Sequence, residues 1–410
     1  MPVNLNNMPA PYIRPTPPRL LRWLAALVCL VATGILLMRL LGKLVSENTF
    51  WWFAIGIPAM VWLVLMGIRM AVYMMQQIQA NAWDKRREQV ILQEVRRGRR
   101  ALQILAATFS TAHLANAEFT DCTEAMLRNQ DMLNPQISWK KESTVRHSRL
   151  PTTEVLEPQD RIAAAFAELL ESFADTFSFI SPDKPIAILL ESSSSIPAAQ
   201  VKESWQKAWE KRAFQHPTHF IQGSGLGVID NWLDNHIKDE DLLLVVALHI
   251  APDITLFSAE AVAGLLLGNR LTQKDLLPIA LLHRPELSEP DDEMLRARAL
   301  QAADWVPMSI DRVQHLWLTG ISAKSDAYRA ILKVKTALPF TGLEQQSDMH
   351  HIDSFLGDTA LAAPWLAIAV AAKSMSYSPA PHFIFNGEQG SESVWSCAVS
   401  PNASHKENIT

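Results

Sequence analysis

Cysteine is scarce in this sequence, its glycine motifs are incomplete, and charge of neither sign dominates. The three cysteines, Cys29, Cys122 and Cys397, lie far apart and form no CxxC pair. That spacing supports neither a disulfide framework nor a zinc knuckle, and a reducing compartment is expected. No GxGxxG occurs, and no glycine-rich turn is followed by Lys-Ser/Thr, which argues against a dinucleotide fingerprint and a P-loop. A formal net charge of -5 and a pI near 6.2 offer no global attraction to nucleic acid, so no nucleic-acid partner is expected. Apolar residues are plentiful, at 49% of 410, enough to bury a sizeable core and to predict two domains or a domain with an anchor.

Two apolar runs lie near the N-terminus. Residues 20–41 are apolar apart from Arg22 and Arg39 near the ends, which can snorkel to lipid headgroups. Residues 50–68 carry no charge and open on an aromatic cluster suited to the lipid-water boundary. The connection between them, residues 42–49, is too short for a domain, so residues 20–75 are expected to form a two-span transmembrane hairpin with both ends on one side. Arg14, Arg19 and Arg22 precede or open the first span, and Lys85, Arg86, Arg87, Arg96, Arg97, Arg99 and Arg100 follow the second. Only Lys43 lies between the spans. The positive-inside rule then places residues 1–19 and everything after the hairpin in the cytoplasm, with a bacterial inner membrane as the simplest setting. A cleaved signal peptide is the weaker reading, because a second span follows at once.

Residues 76–133 read as a basic, amphipathic helical stalk, with a helix over residues 75–117. Ile91, Val95, Leu102, Leu105 and Phe109 recur at three- and four-residue steps or their multiples. Its basic cluster could hold anionic lipid at about 1 kcal/mol per residue close to the surface, or could simply form a solvated face. Residues 134–158 are polar and proline-punctuated and read as a linker. Residues 159–401 alternate helices with apolar strands, the pattern of an α/β domain with a mostly buried sheet. Helices are expected over 159–180, 201–214, from Leu226, 258–268, 292–303, 311–318, 326–337 and 359–373. The strands are PIAILLE, THFIQ, LLLVVALHI, IALLH, HFIFN and VWSCAVS. Two halves would end near Glu286 and Pro401, and residues 402–410 are expected to be a disordered tail.

The stretch FIQGSGLGVIDNW, residues 220–232, has the form of a strand, a glycine corner and a helix. It is no serine elbow, since Gln222 and Leu226 fill the glycine positions of GxSxG around Ser224. It resembles instead the nucleophile region of the thiolase-like family, which includes the ketoacyl synthases. Ser224, Gly225 and Leu226 match the end of that family's alanine-cysteine-alanine-serine-glycine-leucine run, and Gln222 stands at the cysteine position. LGDTALAAPWLAIAVAAK resembles the family's glycine-histidine segment and Ala-rich helix, with Gly357 matching and Asp358 at the histidine position. PHFIFNGEQGSESVWSCAVSP resembles its last hairpin, with Gly387 and Gly390 in the turn. The resemblance implies a fold of two related halves and a degenerate site. Glutamine cannot be acylated as a thiol can, and a carboxylate at Asp358 would repel a developing oxyanion.

The candidate pocket comprises Gln222, Ser224, His249 and Asp358. His249 ends a core strand where α/β folds place ligands, though a satisfied core histidine is the rival reading. His350, His351 and Asp353 lack the i, i+4 spacing of a helical metal pair and read as exposed loop residues. Residues 289–293, EPDDE, read as helix capping, residues 191–197, ESSSSIP, as a serine-rich loop, and Trp205 with Trp209 as core. No metal, catalytic residue or cofactor is expected. These readings combine into a membrane-anchored, non-enzymatic adaptor with a protein partner, in a layout resembling accessory components of Gram-negative type VI secretion clusters. The alternatives are a membrane-tethered acyl-transfer enzyme and, less favoured with only two spans, a small channel.

Overall fold

The computed structural model describes residues 8–41, 46–115, 121–140, 143–151, 157–306, 313–337, 339–345 and 347–402. The chain divides into two compact units, the first ending at Val95 and the second starting at Arg96.

In the first unit, α1 (Leu20–Leu41) is followed by α2 (Glu47–Trp51), a π-helical turn (Trp52–Gly56) and α3 (Ile57–Gly98), the last three forming one helical rod. Leu20–Leu40 and Glu47–Gly98 are each long and apolar enough to cross a membrane. The two helices touch closely at Gly34, where a Cβ would lie 2.5 Å from the Ala54 carbonyl oxygen, the close approach that small residues permit. Trp62 Nε1 donates to the Trp23 carbonyl at 2.7 Å. The arm before α1 runs beside the charged part of α3: Arg14 donates to Asn81 and Asp84 at 2.7 Å, and Arg87 Nε donates to the Pro9 carbonyl at 2.7 Å. Arm and rod thus share one end of the apolar pair, as a hairpin requires. Residues 42–45, with Lys43, and residues 1–7 lie outside the described residues.

The helix expected over 75–117 stops at Gly98, and Ala101–Ser110 is strand β1. Residues 101–133 therefore belong to the second unit and not to a stalk. Leu102 and Ile104 face one core cluster and Leu105 the other, across a bulge, so a strand buried on both sides mimicked a helical period.

After β1 come α4 (Cys122–Leu127), the hairpin β2 (Asn134–Ile137) and β3 (Thr144–His147), α5 (Pro158–Ser178), β4 (Ile186–Ser193), α6 (Ala198–Arg212) and β5 (Thr218–Phe220). Then follow α7 (Gly227–Asn235), β6 (Leu242–His249), β7 (Ala261–Asn269), β8 (Ala280–His283), β9 (Glu286–Ser288) and α8 (Asp292–Asp304). The chain continues through β10 (His315–Thr319), α9 (Asp326–Val334), β11 (Met349–His351), α10 (Ile352–Phe355), α11 (Ala363–Ser374), β12 (His382–Gly387) and β13 (Val394–Pro401).

The sheet runs β11-β10-β12-β13-β8-β1-β7-β6-β4-β5. This order contains one pattern twice. Strands β1, β4, β5, β6 and β7 stand in the order third, second, fourth, fifth, first, and so do β8, β10, β11, β12 and β13. In each array the fifth strand is antiparallel to its neighbours, and the others that pair do so in parallel. The two first strands, β1 and β8, pair antiparallel and join the arrays. The expected two halves are present, but IALLH opens the second instead of closing the first.

Side-chain alternation places the layers. Leu242, Leu244, Val246 and Leu248 of β6 pack with Phe166, Phe173 and Trp205 of α5 and α6, whereas Leu243, Val245 and Ala247 face a central cluster. In the second array Leu316, Leu318, Phe383 and Phe385 face α8 and α9, while Trp317 and Ile384 face the same centre. That centre holds α7 and α11. The order is helices, sheet, helices, sheet, helices. Ala363–Ala372 of α11 is buried throughout, which is why it is Ala-rich and has no polar face. Trp205 stacks edge-on against Phe166 at 5.2 Å, confirming its core role.

Three further expectations change. Residues 258–268 are not a helix: all nine residues of β7 are buried, and Gly264 abuts the Phe173 ring, where a Cβ would lie 2.8 Å away. The helix expected over 311–318 is replaced by β10, with residues 311–312 outside the described set. The linker contains a docked hairpin: Ser148 N donates to the Ser258 carbonyl at 3.1 Å and Ser148 Oγ to the Leu356 carbonyl at 2.7 Å. Residues 141–142, 152–156 and 403–410 lie outside the described set, so the expected tail does too.

Candidate functional site

The corner between β5 and α7 needs its glycines. Gly223 has φ +134° and Gly225 φ +58°, and a Cβ on Gly223 would lie 2.6 Å from Val228 Cγ2. Glu191, at the carboxyl end of β4, holds the turn. Its Oε1 accepts from Gly225 N at 2.7 Å and its Oε2 from Trp365 Nε1 in α11. Burial pushes the Glu191 carboxyl above its ordinary range, opposed by these two donors. One carboxyl group therefore ties the corner to the first turn of α11.

A cavity of about 130 Å³ opens beside that clamp. Ser224 and Gly225 line it from the corner, Ala360, Leu361 and Pro364 from the entry to α11, and Asn386 to Gln389 from the end of β12, with Trp395 on β13. Three segments far apart in sequence, the ones that carry the thiolase-like resemblance, meet here. A larger cavity of about 320 Å³ lies between the loop after β10 and the β12–β13 turn. Gly320 and Gly387 border it together, so close that a Cβ on Gly387 would stand 2.0 Å from the Gly320 carbonyl oxygen.

Of the four expected site residues, Ser224 lines the small cavity. Gln222 is exposed on the corner and is not part of that lining. Asp358 is exposed and not part of that lining either, its backbone pinned by Asp358 N donating to the Phe257 carbonyl and Ala259 N donating to the Asp358 carbonyl, both at 2.8 Å. Its Oδ1 accepts from Ala360 N at 2.8 Å, so the carboxylate caps its own loop. Gly357 before it has φ +112°, and a Cβ there would meet the Phe257 carbonyl oxygen at 2.9 Å. His249 is buried with Nε2 3.0 Å from Ser258 Oγ. Burial pushes its pKa down to about 4, against the opposing charge of Asp358, so the ring is neutral at pH 7.

Glu191 and Asn386 escaped the sequence reading. Glu191 carried a signal, a lone charge closing the apolar run PIAILLE, and Asn386 stands just before the glycine turn. Neither position reveals its partner.

His350 and His351 lie in strand β11 and not in an exposed loop. His350 is fully buried, with Nδ1 2.7 Å from Asn129 Oδ1 and Nε2 3.0 Å from His315 Nδ1. Among the described residues no cluster of three or more His, Cys, Asp or Glu could hold a metal ion. Asp291 Oδ2 accepts from Glu293 N and Met294 N at 3.1 and 3.0 Å, the capping expected of EPDDE.

The basic cluster is partly engaged. Arg97 Nε donates to Asp234 Oδ1 at 2.8 Å, and Arg100 Nη1 donates to the Leu233 carbonyl at 2.8 Å, at the far end of α7 from the corner. Fully buried Arg284 donates to Asp230 and, at 2.6 Å, to Asp234. Burial would raise the Asp234 carboxyl, but Arg97 and Arg284 hold it well below the carboxylate range.

No family model matches the sequence, and no curated protein matches it. Solved structures do match in three dimensions. The ishigamide ketosynthase/chain length factor superposes with a TM-score of 0.54 at 12% identity, covering 73% of this chain and 99% of that one. Human mitochondrial 3-ketoacyl-CoA thiolase in complex with CoA gives 0.46 at 9% identity, covering 75% and 99%. The first likeness shows that the second unit has a thiolase-like α/β fold.

Proposed function

We propose that this chain is a membrane-anchored adaptor whose thiolase-like body binds a partner protein without catalysing acyl transfer. One observation carries the reading: among the described residues the cavity at the corner is lined by no thiol and no imidazole, and Glu388 is the one titratable side chain in that lining. Thiolate chemistry needs an accessible, activated cysteine. Cys29 lies in α1, Cys122 in α4, and Cys397 is buried in β13, where burial pushes its thiol up to about 12. The cavity, about 130 Å³, is also below the roughly 300 Å³ at which small-molecule sites begin.

The proposed setting is a bacterial inner membrane, with two spans and with both termini and the body in the cytoplasm. The apolar helix pair and the arm lying along α3 support the hairpin. Of the basic residues offered for anionic lipid, Lys85, Arg86, Arg96 and Arg99 are the better candidates, since Arg97 and Arg100 bond to α7 and Arg87 to the Pro9 carbonyl. The likeness of layout to type VI secretion accessory components motivates such an assembly as the partner.

A second reading, a membrane-tethered acyl-transfer enzyme, is favoured by Ser224, exposed at the corner of a fold shared with a ketosynthase. The two separate on incubating the purified full chain with acetyl and malonyl thioesters of coenzyme A. The adaptor reading expects no acyl adduct by intact mass and no release of free thiol. An adduct that disappears in Ser224→Ala would replace it with the enzyme reading.

A further inference from the structure

Ile321, the second residue after β10, is held by its side chain, its N–H and its carbonyl. The side chain is 3% exposed and packs in the cluster beneath α8 and α9. The N–H donates to Asp353 Oδ2 at 3.1 Å, and the carbonyl accepts from His351 Nε2 at 2.7 Å. Both polar partners come from one place, the junction of β11 with α10. His351 is fixed in turn by stacking on Tyr328 of α9, with ring centroids 5.5 Å apart. The remainder of the loop bonds only to itself and to the start of α9. Ser325 N and Oγ donate to the Ser322 carbonyl, Lys324 N donates to Ser322 Oγ, and Ser325 Oγ accepts from Tyr328 N. Among the described residues, Ile321 is therefore the point at which hydrogen bonds tie the β10–α9 loop to β11 and α10.

That loop walls the larger cavity, about 320 Å³, which Ile321, Ser322, Lys324 and Ser325 line together with Ser391 and Ser393 of the β12–β13 turn. The volume falls within the range of small-molecule sites, roughly 300–1,000 Å³. How Ile321 is held thus sets the shape of this cavity.

Asp353 is a costly place for a charge. Its Oδ1 is buried and has no hydrogen-bond partner among the described residues. The titratable groups that bear on it from the elements packed around it are Asp358, on the segment after α10, and His351, whose Nε2 lies 4.0 Å from Asp353 Oδ2. Burial pushes the Asp353 carboxyl up to about 7 and the Asp358 charge adds to this, against the N–H groups of Gly320 and Ile321. His351 supplies no opposing charge near neutrality, because burial pushes its pKa down although donation to the Ile321 carbonyl works the other way.

We infer that His351 and Asp353 form a proton-operated latch on the wall of the larger cavity, closed while Asp353 is protonated and released when its proton leaves to solvent. The neutral carboxyl stays inward and accepts from Ile321 N. The carboxylate gains by turning out to water, which already reaches 19% of the side chain, and Ile321 then loses an acceptor. The closed form binds the proton more tightly than the open form, in which the carboxyl returns to its ordinary value near 3.8. The latch is accordingly at full strength below about 3.8 and is lost as pH rises through about 7.

The test is hydrogen exchange of the full chain in lipid nanodiscs, resolved to single amides and corrected for the intrinsic rate at each pH. Protection of the Ile321 amide is expected to fall by up to about tenfold per pH unit between pH 5 and pH 7 and to level off above that, since opening releases one proton. The amides of Ser322, Lys324 and Ser325 should follow it. The Val245 amide in the core of β6 should not, which separates opening of the latch from unfolding of the body. Asp353→Asn keeps an acceptor oxygen and binds no proton, so its profile should be flat. Asp358→Asn removes one cause of the raised carboxyl and should move the levelling-off to lower pH. His351→Gln keeps an N–H donor for the Ile321 carbonyl and should keep the slope.

A flat wild-type profile, or a slope that survives Asp353→Asn, would overturn the latch. A slope lost in His351→Gln would assign the titration to the imidazole and overturn it equally. Response of Ile321 without the loop amides would leave the cavity wall unregulated, and an equal slope at Val245 would replace the latch with global unfolding. Should Asp353→Asn fail to fold, the Asp358→Asn profile decides, and an unmoved levelling-off there refutes the proposal.

Discussion

Arg97 and Asp234 form a two-pronged ion pair that joins the penultimate residue of α3 to the last turn of α7. The other end of α7 carries the glycine corner. Nine residues of helix, about 13 Å at 1.5 Å per residue, separate this ion pair from the glycine corner.

Asp234→Ala should destabilise the second unit by about 3 kcal/mol, because Arg284 is fully buried and loses one of its two carboxylate partners. Denaturant unfolding of the full chain measures this. The Asp234 carboxyl is held low, so its contribution is present above its ordinary value near 3.8 and is lost as pH falls below that value. Wild type and Asp234→Ala should converge in stability on acidification.

Glu191→Ala leaves Gly225 N and Trp365 Nε1 without their acceptor, at about 1–3 kcal/mol for each buried donor. The expected result is a loss of stability and a changed Trp365 environment in near-ultraviolet circular dichroism. Glu191→Gln, which keeps one acceptor oxygen, should lose about half as much or less. Equal stability of wild type and Glu191→Ala would show that the clamp contributes nothing.

Glu286 gives a pH dependence of the opposite sign. Burial pushes its carboxyl up to about 7, although Trp305 Nε1 donates to it at 2.7 Å. A raised carboxyl contributes stability that is full below its ordinary value near 4.5 and is lost as pH rises toward about 7. Glu286→Gln should flatten the stability profile between those two values and leave the profile outside them unchanged.

For the anchor, Gly34→Leu should separate α1 from the second helix, since even a Cβ at that position would lie 2.5 Å from the Ala54 carbonyl. Cysteine crosslinking between positions near Trp23 and Trp62 would report it by a lost crosslink. On the proposed topology, protease should spare the body in spheroplasts and cleave it in inverted vesicles. The reverse pattern would place the body on the outer face.

How much was legible in the sequence follows from where the physical signal was local. The apolar runs of the N-terminal helices, the amphipathic α5, the all-apolar α11 and the glycine corner are set by composition and backbone permissiveness, which need no neighbour to be read. The strands β4, β6, β12 and β13 were equally plain, as apolar runs between turn residues. By contrast, Ala101–Ser110, Ala261–Asn269 and His315–Thr319 all read as helix and are strands. Each lies in a sheet covered on both faces, so no charged side marks its period, and only the partner ladder decides its conformation. The site divides in the same way. Residue types and the bend at the corner were written in the chain, whereas the Glu191 clamp exists only because two arrays of five strands bring the glycine corner and the start of α11 together.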